Sequence, residues 1–133
     1  MNINLLVEIK KEYTQHLLNI LSPVIFSGLT SIYDTAKKNA QHNTVLKTFQ
    51  SCLKRIPDWK NDIITKESKR ILDKTNSTAP FLPELVQAVF KANIKILAVD
   101  VPSNVYQELT FPTFIKNIYI ECAREFWIDP YLF

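Results

Sequence analysis

The chain has 133 residues, 47% of them hydrophobic, 22% charged and 11% aromatic, with 16 basic residues against 13 acidic ones. Its single glycine, Gly28, stands where ordinary usage of about 7% would give roughly nine, which rules out the usual phosphate-cradling loops, dinucleotide-binding turns and primed hairpins. The apolar fraction is too high for a disordered chain, and the length suits one domain over residues 1–133 with its own core.

Apolar residues at Leu6, Ile9, Tyr13, Leu17 and Leu21 recur at spacings of three and four and predict a first amphipathic helix. Ser22-Pro23 should interrupt it, because proline removes an interior hydrogen bond and suits the first turn of a new helix. Val24, Ile25, Leu29, Ile32 and Ala36 carry the stripe of that second helix. Gly28 lies inside it, at a cost of about 1 kcal/mol against alanine, which points to another backbone approaching closely at a helix crossing. Residues 37–43 are polar and read as a connection, with Asn43 placed to cap a third helix through Val45, Leu46, Phe49, Leu53 and Ile56. Pro57 ends that helix, and Asp58 can cap a fourth that begins at Trp59 and carries Ile63, Ile64, Ile71 and Leu72.

Residues 75–80 form a loop by composition. Pro83 and Glu84 suit the first turn of a fifth helix. Leu85, Val86, Val89, Phe90, Ala92, Ile94, Ile96 and Leu97 make it apolar nearly all round, which places it at the centre. Residues 99–106 are irregular around Pro102, and a sixth helix starts near Pro112 and runs through Phe126. The expectation is an all-α fold: a compact single-domain bundle of about six helices, with no convincing strand pair.

Formal net charge is +3. Seven basic and four acidic residues fall within 54–74, so this stretch holds the whole excess. A solvated helix face is the ordinary reading of such a run, and a nucleic-acid-binding module is the alternative. Cys52 and Cys122 show neither disulfide nor zinc spacing and read as reduced core thiols of a cytosolic protein. Residues 13–33 carry no charge over 21 positions, long enough to span a bilayer. Close to half of them are polar and Pro23 lies at their centre, so they read as two core helices and not as a transmembrane segment. Glu8 precedes any apolar run, so no signal peptide is read, and the sequon Asn76-Ser77-Thr78 is taken as chance.

A search for chemistry finds no nucleophile beside a base and no ligand cluster. His16 follows Glu12 by one turn, the spacing of an ordinary surface contact, and His42 lies in a polar connection. Glu121 and Glu125, with Arg124 between them, read as a charged exterior, and the Glu-x-x-His pairs of a di-metal bundle are missing. The expectation is therefore a non-enzymatic protein with no cofactor and no metal. Aromatic residues are more telling. The run Phe126-Trp127-Ile128-Asp129-Pro130-Tyr131-Leu132-Phe133 holds four of them, and it either folds back to close the core or offers an apolar strip to a partner. Trp59 beside Arg55 and Lys60, Trp127 beside Arg124, and Tyr131 and Phe133 are the candidate contact residues, since Trp, Tyr and Arg dominate interface hot spots.

Four stretches carry a resemblance. They are Glu12-Tyr13-Thr14-Gln15-His16-Leu17, Leu46-Lys47-Thr48-Phe49-Gln50 with Leu53-Lys54-Arg55-Ile56-Pro57-Asp58-Trp59, Lys91-Ala92-Asn93-Ile94-Lys95-Ile96-Leu97, and Tyr119-Ile120-Glu121-Cys122-Ala123-Arg124-Glu125-Phe126-Trp127 with Pro130-Tyr131-Leu132-Phe133. Together they resemble an uncharacterised helical protein family of large nucleocytoplasmic DNA viruses, the giant viruses and their iridovirus- and phycodnavirus-like relatives. The resemblance implies a viral protein made in the host cytoplasm, at the viral factory, and carried in the virion as a capsid-associated or assembly component. It implies contacts with other virion proteins or with further copies of itself, and it transfers no catalytic residue. It also implies a polar tail and a short helix beyond Phe133, which would make these residues the N-terminal part of a longer protein.

Overall fold

The apolar stripes of the first two expected helices run in one register across Pro23. Leu17, Leu21, Ile25 and Leu29 follow at four-residue steps, and all four are buried. In the computed structural model, which describes residues 3–41, 43–97 and 110–133, they belong to one continuous helix, α1 (Ile3–Asn39). The expected break at Ser22-Pro23 is thus absent, and so is the helix-free connection from residue 37. Both Ser22 and Pro23 lie on the exposed side of α1, where the carbonyl that proline leaves without a donor is open to solvent. Burial of the stripe on both sides of Pro23 outweighs the interior-proline cost of about 3 kcal/mol. Hydroxyls of Thr30, Ser31 and Thr35 donate to the carbonyls one turn back at 2.9, 3.2 and 2.9 Å, which satisfies polar groups on an uncharged stretch. Over Val7–Asn39 this helix is long and apolar enough to cross a membrane by length and composition. Its stripe here faces α2 (Val45–Lys54), α3 (Asn61–Thr75) and α4 (Leu82–Leu97).

Merging the first two segments leaves five α-helices among the described residues, ending with α5 (Phe111–Ile128), and no strand. Thr44, not Asn43, precedes α2, and its hydroxyl bonds back to the Gln41 carbonyl at 3.0 Å. Pro57 and Asp58 form a 3₁₀ turn with Ile56, so α3 starts at Asn61 and Asp58 does not cap it. Thr110 caps α5 through its side chain, accepting from the Thr113 N–H at 3.3 Å, with Pro112 in the first turn. The helix expected at the centre, α4, packs chiefly against α1. Its core-facing stripe is Leu82, Leu85, Val86 and Ala92, all buried, while Phe90 stays partly exposed. The expected irregular stretch at 99–106 lies outside the described residues, as does His42.

Phe49, Ile56, Ile71, Leu82 and Ile115 are completely buried and join α2, the 3₁₀ turn, α3, α4 and α5 into one core. The C-terminal run divides in two. Phe133 folds back, its ring 5.2–5.6 Å from those of Phe26, Tyr33, Phe49 and Phe126. Trp127, Ile128 and Tyr131 face outward.

Candidate functional site

Two features that draw on several elements stand out among the described residues: a polar cluster at Gly28 and an exposed trough beside Trp127. In the cluster, Glu67 and Arg70 stand one turn apart on α3 and turn toward α1 and α5. Arg70 pairs with Glu67 through Nε and Nη2, and its Nη2 also donates to the Val24 carbonyl at 2.9 Å. The Tyr119 hydroxyl donates to Glu67 Oε1 at 2.5 Å. A Cβ at Gly28 would overlap that hydroxyl and come within 3.0 Å of Glu67 Oε1. The expected close approach at Gly28 is therefore present, but a tyrosine side chain makes it and not another backbone. With no positive φ at this residue, glycine serves here by its size.

Burial, and then the hydrogen bond to Glu67, hold the Tyr119 phenol well above its ordinary 10.0. The protonated phenol is the form that the fold favours, so its contribution is complete below pH 10.0 and is lost as pH rises beyond it. The thermal unfolding midpoint should fall as pH rises above 10.0. Tyr119→Phe should start lower and fall less steeply, and equal slopes for the two proteins would remove Tyr119 as the titrating group.

The candidate contact residues divide between interior and surface. Trp59 is half-buried and lies against Tyr119, ring centroids 5.4 Å apart, so it belongs to the packing around the cluster. Phe133 is part of the aromatic core. Arg55 and Lys60 are exposed on either side of the 3₁₀ turn. Arg124 and Trp127 lie against the C-terminal part of α2, and Tyr131 lies against its N-terminal part.

That face holds two adjoining grooves. The first, of about 310 Å³, has Leu53, Pro57, Ile120 and Ala123 as its floor, with Lys54, Arg124 and Trp127 around it. The second, of about 490 Å³, lies between Asn43, Val45, Leu46, Lys47 and Gln50 on one side and Pro130 and Tyr131 on the other. Leu46, Gln50 and Leu53 occupy one flank of α2 by helical register, so both grooves open along the same side of that helix. Gln50 Nε2 donates to the Trp127 carbonyl at 2.7 Å and ties the two walls together where the grooves meet. Trp127, Ile128 and Tyr131 are 46%, 68% and 84% exposed. Lys47 and Gln50 were not among the expected contact residues; the register of α2 beside its Phe49 stripe is the signal that marks them.

A family model described as a family of unknown function (DUF5764) matches residues 3–133. The chain belongs to that family. No curated protein and no solved structure matches it. Both grooves and the Gly28 cluster fall within the range shared with DUF5764.

Elsewhere on this DUF5764 chain, the basic stretch 54–74 is mixed in sign. Arg70 is committed to Glu67. The exposed residues Asp62, Lys66, Lys69 and Asp73 form one stripe of α3 in which acid and base alternate in pairs. His16 stacks on Phe81 with centroids 5.6 Å apart. Cys52 and Cys122 are free thiols, partly buried against the core, and burial followed by the charge of Glu121 pushes the Cys122 thiol up, away from thiolate chemistry. Among the described residues no group of three His, Cys, Asp or Glu side chains is placed to hold a metal ion.

Proposed function

We propose that this protein acts by protein–protein contact and not by catalysis, as a structural or assembly component of a large DNA virus particle. The trough beside Trp127 is the contact surface. One observation carries the contact reading: three large apolar side chains, Trp127 and Ile128 at the end of α5 and Tyr131 in the 3₁₀ turn Pro130–Leu132 that follows, remain exposed while Ile115, Tyr119 and Ala123 on the inner face of α5 are buried. Such a patch loses free energy in water and regains it against a partner, and Trp and Tyr beside Arg are the side chains that anchor interfaces. The viral setting rests on the residue likeness described above.

Two measurements test the reading together. Mass spectrometry of purified particles of the virus that encodes the chain should detect it. The double variant Trp127→Ala/Tyr131→Ala should keep the native circular dichroism spectrum and lose at least about tenfold in particle incorporation, the size of effect expected when hot-spot anchors are removed. Particles without the protein would refute the virion role, and full incorporation of the variant would refute this surface.

A further inference from the structure

Resting on the contact reading, we infer that the trough between α2 and the end of α5 receives an acidic segment of a partner protein that carries two apolar anchors. The first argument is charge. Lys47, Lys54 and Arg124 border the two grooves, and among the described residues no carboxylate lines either one. Arg124 is already paired with Glu121 at 3.1 Å, which leaves Lys47 and Lys54 as the groove cations without an ion pair among the described residues, and Asp129, which accepts the Tyr131 N–H at 3.2 Å, lines neither groove. Glu125 is exposed on α5 but lines neither groove. Two lysines on one wall that form no ion pair among the described residues complement acidic side chains on an incoming segment.

The second argument is shape. Each groove has an apolar part: Leu53, Ile120 and Ala123 in one, Val45 and Leu46 in the other. Leu46 and Leu53 are seven residues apart on α2, so the two sites lie about 10 Å apart along the helix axis. An incoming helix offers the same separation between side chains at i and i+7, which lie on one face. The Gln50–Trp127 bond holds the walls in place before anything binds, which lowers the ordering cost of association.

The same observations disfavour two other occupants. A second copy meeting this face about a two-fold axis would bring Lys47 and Lys54 against like charges. A nucleic-acid backbone would meet cations around an apolar floor with no continuous basic track.

The test is a selection of random peptides displayed on phage against the full chain. Enriched peptides should be acidic, with large apolar residues at i and i+7. A synthetic copy of the strongest should bind at least about tenfold more weakly to Trp127→Ala, as for a hot-spot anchor. Binding to Lys47→Glu/Lys54→Glu should weaken similarly, and affinity for the unaltered chain should fall as salt is raised. Neutral or basic consensus peptides, no enrichment, or undiminished binding to the charge-reversed variant would overturn the inference. Should that happen while Trp127→Ala/Tyr131→Ala still abolishes particle incorporation, the partner chemistry alone would be wrong and the contact surface would stand.

Discussion

Replacing Gly28 with alanine is expected to destabilise the fold by about 2–4 kcal/mol, although alanine is the better helix former by about 1 kcal/mol. The new methyl would occupy the place of the Tyr119 hydroxyl and crowd Glu67 Oε1. Tyr119 must then withdraw, which breaks its bond to Glu67 and strains a ring that is otherwise fully buried. Leucine at the same position should abolish the native packing of α1 against α3 and α5. Urea unfolding of Gly28→Ala, Tyr119→Phe and the double variant forms a cycle that isolates the clash. Tyr119→Phe removes the oxygen that the methyl meets, so Gly28→Ala should cost about 2 kcal/mol less in that background than in the native one. If Gly28→Ala alone stabilises the protein, the glycine is not held by the tyrosine.

Phe49→Ala is the second large effect, expected to cost about 3–5 kcal/mol because the ring is fully buried and its removal leaves a cavity. Phe49 is where α2 meets Tyr33 of α1 and Phe133 of the C-terminal turn, at centroid distances of 5.3 and 5.2 Å. Phe133→Ala should cost about half as much, since that ring is only partly buried. Tyr131→Ala, two residues away, should leave the unfolding midpoint nearly unchanged. Comparable losses for Phe133 and Tyr131 would mean that the C-terminal run acts as one packed unit and that no part of it is free for a partner.

Most of the helical architecture was legible because burial writes a periodic signal into the chain. The stripes through Leu17, Leu21, Phe49, Leu53, Ile71, Ile115 and Tyr119 all run through helices whose buried faces they form. Pro23 misled because its effect depends on which side of the helix it occupies, and that side is settled only when the stripe finds its partners. Side-chain fate was harder still. Glu67–Arg70 and Glu121–Arg124 are the same residue types at the same spacing. Yet the first pair is 18% and 30% exposed and the second 65% and 62%. Nothing local separates them; the difference arises because Tyr119 and Gly28 open a polar niche above α3, and among the described residues nothing comparable faces the outer side of α5. The same reason divides the two tryptophans. Trp59 meets Tyr119 across the fold, and Trp127 follows the last buried turn of α5. Lys47 and Gln50 entered the candidate surface only when α2 was set beside the end of α5.

That division of the tryptophans supplies a built-in optical reporter. Trp59 is shielded against an aromatic ring, whereas Trp127 stands in the mouth of the trough. Trp59→Phe would leave a single indole, and its emission and its accessibility to a soluble quencher would then depend on whether the trough is filled. Occupancy could be followed in solution by light alone, with no label attached to either molecule.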